Sequence, residues 1–115
     1  MIEMTLPWPP TVNTYWRYWQ GKVLISKKGR EYRKAVAGEV LLQKANKNID
    51  YAMKVEIKAY RPDRRRRDLD NILKAILDSM THAGVMQDDA LIEDLRVYWA
   101  DEQGSVVKIT IEGFE

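Results

Sequence analysis

The segment Arg64-Arg65-Arg66-Arg67-Asp68-Leu69-Asp70 constrains this chain more than any other. Four guanidiniums and two carboxylates in seven residues have no place in an apolar core, because an unpaired buried charge costs more than packing returns. The run is therefore an exposed connection, and its flanks set the architecture. Before it, Met53, Val55, Ile57 and Ala59 alternate with Lys54, Glu56, Lys58 and Tyr60, the pattern of a half-buried strand. Pro62 closes that strand. After the run, Leu69, Ile72, Leu73, Ile76, Leu77 and Met80 recur at helical spacing. They predict a helix from near Asp68 to about His82, stopped by Gly84.

Elsewhere, Ile2 to Leu6 reads as a strand ended by Pro7, Pro9 and Pro10. Tyr15 to Trp19 and Val23 to Ser26 flank Gln20-Gly21-Lys22 as a hairpin. Lys28 to about Lys47 predicts a helix with Tyr32, Val36, Ala37, Val40, Leu41 and Ala45 on its apolar face. Leu95, Val97 and Trp99, then Val107, Ile109 and Ile111, predict two antiparallel strands joined around Gly104. The expected fold is α+β: a mostly antiparallel or mixed sheet with two α-helices packed on it. With 115 residues, no repeat and no linker, one domain over residues 1–115 is expected.

A net charge of +2 hides a strong asymmetry. Residues 61–67 hold five arginines and one aspartate, while the rest of the chain holds 14 basic and 16 acidic residues. The basic character is a patch, as phosphate binding requires. No cysteine is present, so there is no disulfide framework and no thiolate metal site, which suits a reducing cytoplasm. No run of about 18 apolar residues exists and the N-terminus lacks a signal-peptide pattern, so no membrane association is expected.

Two acidic pairs bear on chemistry: Asp68 with Asp70, and Asp88 with Asp89. Hard divalent cations such as Mg²⁺ take carboxylate oxygens, water and substrate phosphate. With His82 as the single histidine and no cysteine, the chain offers zinc nothing better. Asp89, arriving from the loop after the helix, would complete a set with Asp68 and Asp70 at its entrance. The structural reading of the same residues is an N-cap at Asp68, a first-turn dipole partner at Asp70 and a turn at Asp88-Asp89. Asp70, Lys74 and Asp78 share one helix face at i, i+4 spacing; Lys74 then reads as a salt-bridge partner of Asp70, and Asp78 as solvated.

Arg64, Arg65, Arg66 and Arg67 outnumber the acids near them. A polyanion relieves their repulsion, and arginine binds phosphate with paired hydrogen bonds. A solvated loop or a protein- or lipid-binding patch is the structural counterpart. Tyr15, Trp16, Tyr18 and Trp19 crowd one segment near Trp8. Core packing or a subunit contact accounts for them more simply than stacking on unpaired bases. Asn13 is a polar loop residue within reach of a phosphate.

Leu6-Pro7-Trp8-Pro9-Pro10 with Asn13, Pro62-Asp63 running through the arginines to Asn71 and Lys74, and Ala83-Gly84 followed by Asp88-Asp89-Ala90 together resemble the RusA family of Holliday-junction resolvases of bacteria and phages. The resemblance implies a homodimer that nicks four-way DNA junctions symmetrically with Mg²⁺, or Mn²⁺ in its place, and no organic cofactor. It implies metal binding by Asp68, Asp70 and Asp89 with Asp88 beside them, and an essential lysine at Lys74. Asp68, Asp70, Asp89 and Lys74 are then the catalytic set; Arg64 to Arg67 and Asn13 contact DNA. The alternatives are a non-enzymatic nucleic-acid-binding module, and a metal-dependent nuclease acting on flaps or duplex.

Overall fold

A computed structural model describes residues 1–115 as an α+β fold. The chain runs β1 (Ile2–Pro7), α1 (Val12–Tyr15), β2 (Trp16–Trp19), β3 (Lys22–Ile25), α2 (Lys27–Leu42), β4 (Met53–Tyr60), α3 (Asp70–His82), a 3₁₀ turn (Asp89–Leu91), β5 (Ile92–Trp99) and β6 (Val106–Gly113). Four strands form a mixed sheet in the order β1-β6-β4-β5, and β2 with β3 forms a separate hairpin. Alternation in β4 and β6 sends Val55, Ile57, Val107 and Ile109 to one face, where Met4 and Leu6 of β1 join them. There they meet Tyr32, Val36 and Val40 of α2 and Ile72, Ile76 and Met80 of α3. The opposite face carries Lys54, Glu56, Lys58 and Lys108 and has no helix over it. No helix is long and apolar enough to cross a membrane.

The two last strands are not neighbours, contrary to the hairpin expected around Gly104. β5 pairs parallel with β4, whereas β6 inserts between β1 and β4, antiparallel to both. The connection crosses the end of β4, where Gly104 and Ser105 donate to the carbonyls of Arg61 (2.9 Å) and Tyr60 (2.8 Å). β5 is left as an edge strand, and Leu95, expected inside, is exposed. Helix α3 is the crossover that a parallel β4–β5 pair demands.

Both long helices end in the same backbone device. Gly84 (φ 84°) follows α3, with Val85 donating to the Met80 carbonyl at 3.0 Å. Lys44 (φ 57°) plays that part after α2, with Ala45 donating to Val40 at 2.9 Å. α2 therefore stops at Leu42 rather than near Lys47, and Leu41 falls on the solvent side. At its other end, the Ser26 hydroxyl caps α2 by accepting from Gly29 N–H at 3.0 Å. A Cβ on Gly29 would lie 2.5 Å from the Tyr15 carbonyl oxygen, so only glycine lets α2 begin this close to α1.

Candidate active site

The arginine-rich loop is braced from within. The Asp63 carboxylate accepts from the Arg65 backbone N–H (2.9 Å), from Arg65 Nε (3.1 Å) and from Arg67 Nη1 (2.7 Å). Arg67 first, then Arg65, holds the Asp63 carboxyl well below the usual carboxylate range. Arg67 also donates to the Arg65 carbonyl at 3.2 Å and lies 5.8 Å over the Trp8 ring. Trp8 stacks on Trp99 at 6.1 Å and 19°, and Arg61 covers Trp99 at 4.6 Å. This Arg61–Trp99–Trp8–Arg67 stack clamps both ends of the loop against the ends of β1 and β5. Two arginines are spoken for differently from the rest: Arg67 is mostly buried in this brace, and Arg65 keeps an exposed guanidinium beside Asp63. Arg64 and Arg66 are exposed and have no ion-pair partner.

Directly after the loop, Asp68 lines a cleft of about 450 Å³ with Trp8, Thr11, Arg66, Arg67, Asn71 and Ile72. The Asp68 carboxylate makes no capping bond to the first turn, and Leu69 after it already has helical angles (φ −58°, ψ −40°). The first turn closes on backbone bonds alone, from Asn71 to the Asp68 carbonyl (3.2 Å) and from Ile72 to the Leu69 carbonyl (3.3 Å). Asp70 opens α3, exposed and without a hydrogen-bond or salt-bridge partner. Neither carboxylate is tied up by a hydrogen bond or an ion pair, although Asp70 does hold the first-turn position where the helix dipole favours an acid.

One turn along, Lys74 is exposed and its Nζ stands 5.9 Å over the ring of Trp16. The 3₁₀ turn brings Asp89 to the same side of α3, where it feels Lys74 and Asp78. Burial raises the Asp89 pKa and its hydrogen bond with Asp88 adds to this, while the Lys74 charge opposes both. Asp88 moves the other way, lowered chiefly by accepting from the Ala90 backbone N–H at 2.9 Å. Asp88 is therefore the cap of the turn, and Asp89 is the carboxylate it presents to α3.

Asp68, Asp70 and Asp89 do not gather into a three-carboxylate cluster in the chain. Asp68 lines the cleft that Arg66 and Arg67 also line, with no ion pair to either, whereas Asp89 sits near Lys74. The donors are all oxygen, and His82 lies exposed at the far end of α3. Such a set fits Mg²⁺ or Mn²⁺ and does not fit zinc. Asn13 stands exposed in α1.

Asp78 is the residue whose solvated reading the structure corrects. It accepts from Arg33 Nη2 (2.7 Å), from Arg33 Nε (2.9 Å) and from the hydroxyl of the buried Tyr15. Trp16 packs edge-on against Tyr15 at 5.0 Å. The aromatic segment thus has a buried root beside α3 and an exposed end. Nothing in the spacing of Arg33 pointed to Asp78, which is 45 residues away.

Comparison with known proteins decides the family. The family model described as Endodeoxyribonuclease RusA matches residues 7–112. The chain belongs to the RusA endodeoxyribonuclease family. It is 46% identical over 97 residues to the crossover junction endodeoxyribonuclease RusA of Escherichia coli strain K12, covering 83% of this chain and 79% of that protein. The corresponding protein of Enterobacteria phage HK97 is 44% identical over 95 residues, with the same coverage. The match contains the braced arginine loop, the free carboxylates at the start of α3 and the turn that carries Asp89. The family's chemistry is phosphodiester cleavage in DNA, and this chain is a member of that class of nuclease.

Proposed function

We propose that this protein is a divalent-metal-dependent resolvase that nicks four-way DNA junctions as a homodimer. The observation that carries the reading is the succession from the loop into α3: exposed Arg64 and Arg66 and then Asp68 in the loop, Asp70 at the start of the helix, and Lys74 one turn on with Asp89 beside it. Relatives that bear the name crossover junction endodeoxyribonuclease supply the substrate class.

Arg64 and Arg66 draw the backbone of a DNA arm along the loop, and Arg65 reaches it from beside Asp63. Asp68, Asp70 and Asp89, with Asp88 next to them, would hold Mg²⁺, or Mn²⁺ in its place, once the cation and the phosphate draw them together. When bound, the cation supplies charge neutralisation at the phosphoryl oxygen and a water of lowered pKa. Lys74 places its ammonium where negative charge develops on the phosphate and its leaving oxygen, and need not reorganise as it does so. Asn13 extends the phosphate contacts toward the hairpin. A four-way junction presents two equivalent strands, so a two-fold dimer with one site per subunit matches its symmetry.

The test compares mobile and immobile four-way junctions with linear duplex, in Mg²⁺ or EDTA, for the native protein and Asp70→Asn. Paired Mg²⁺-dependent nicks in the junction, absent from the variant while its binding persists, are the expected result. Normal cutting by Asp70→Asn would remove the metal assignment. Equal cutting of duplex and junction would leave a nuclease without branch selectivity.

A further inference from the structure

The β2–β3 hairpin buries little of itself. Its turn, with Gln20 at φ 48° and Gly21 at φ 74°, is the tight two-residue kind whose twist suits paired strands. At its tip Tyr18 is 81% exposed, Trp19 58% and Val23 56%. Pairing of Trp16 with Ile25 and of Tyr18 with Val23 puts these four on one face, and Trp19 with Lys22 and Arg17 with Leu24 on the other. The ribbon therefore carries an exposed aromatic on each face. Large exposed apolar groups held by a preorganised turn mark a surface that meets something.

Charge decides what that something is. Residues 4–30 contain Arg17, Lys22, Lys27, Lys28 and Arg30 and not one carboxylate. A second copy of this surface would bring like charges together, whereas a polyanion neutralises them. Aromatic faces among cations are what unpaired bases stack on. The hairpin also springs from the candidate site itself, since Trp16 at its root lies under Lys74.

We propose that the hairpin is a branch-point contact: unpaired nucleobases at the centre of the junction stack on Tyr18 and Trp19 while Arg17 and Lys22 hold the adjoining phosphates. The proposal rests on the reading that the protein acts on branched DNA, and deepens it. The hairpin is how a site built to cut a phosphodiester distinguishes a junction from a duplex, whose bases offer no free face.

The experiment uses the full chain in EDTA, so that binding is read without cutting, and a junction carrying 2-aminopurine either at the branch point or in mid-arm. Native protein should change the fluorescence of the branch-point probe and leave the mid-arm probe unaltered. In the Tyr18→Ala/Trp19→Ala variant that change should vanish, and junction affinity should fall about tenfold, as expected for lost base stacking, with duplex affinity kept. Both side chains are exposed, so a folded variant is expected, and circular dichroism checks it. A variant that keeps both the fluorescence change and the junction preference overturns the proposal. So does a variant that sediments as a monomer where the native protein is a dimer, because the hairpin would then cover a second copy. Native protein with no preference for junction over duplex would instead remove the substrate reading beneath it.

Discussion

The Arg33 guanidinium and the Asp78 carboxylate meet at 2.7 Å across the contact between α2 and α3, each with about a quarter of its side chain exposed. The Tyr15 hydroxyl shares the same carboxylate oxygen. One oxygen thus ties α1, α2 and α3 together beneath the hairpin. Asp78→Ala removes a charge-assisted pair and strands the guanidinium. It should cost about 2 kcal/mol of stability, read as a lower urea midpoint with an unchanged slope. An unaltered midpoint would mean that water replaces the pair without loss.

Alkaline pH should loosen the same corner. Burial, then the Asp78 hydrogen bond, raises the Tyr15 pKa above its ordinary value, and burial raises that of Tyr32 as well. A raised folded-state pKa means that the native state holds its proton more tightly than the unfolded chain. Stability is therefore fully present below the unfolded value of about 10 and is lost as pH rises through the folded-state values. Urea midpoints should fall above about pH 10, and Tyr15→Phe should flatten the fall. A midpoint that is level across this range would contradict the assignment.

The loop arginines divide into two kinds, and salt can tell them apart. Arg64→Gln with Arg66→Gln removes two free cations, so the slope of log affinity against log salt should shrink by about 2. Arg67→Gln breaks the bond to Asp63 and the cover over Trp8 instead. Its damage should appear as loop exposure in hydrogen exchange as well as in weaker binding. The same slope for native protein and the double variant would place the DNA on another surface.

Lys74 and Trp16 make a graded pair. In the role proposed for Lys74, with its charge used on the reacting phosphate, Lys74→Ala should bind junctions with native affinity and fail to nick them. Trp16→Ala leaves that charge in place but removes the aromatic face beneath it. Turnover should drop several-fold with binding retained, since a cation–π contact of this kind contributes about 1 kcal/mol. Trp16→Phe should restore most of the rate. Full turnover in Lys74→Ala would reduce the lysine to a surface charge.

Much of this molecule was legible in the sequence. The β4 alternation and the α3 stripe were unambiguous because a strand covered on one face and a helix covered on one side impose periods of two and about 3.6 residues on their apolar positions. Gly84 announced the end of α3, since a glycine suits the left-handed position there. Lys44 takes that position after α2 at some steric cost, so no glycine marks the end and the apolar spacing runs on past Leu42 to Ala45. The acidic pairs and the basic run were visible as a charge pattern, although local roles in a cap, a first turn and a solvated loop describe the same residues.

What the tertiary structure alone decided are the relationships across long separations. Local pattern shows that β5 and β6 are strands, but not that β4 lies between them; pairing depends on which neighbour covers each backbone edge. Spacing likewise placed Asp78 on the face of Lys74 without revealing Arg33, and it gathered four arginines without showing that Asp63 and Trp8 engage Arg67. A periodic pattern records how a residue meets its own element. Which distant charge or ring it faces is settled only when the elements pack, because that contact energy belongs to the pair and leaves no mark in either residue's neighbours along the chain.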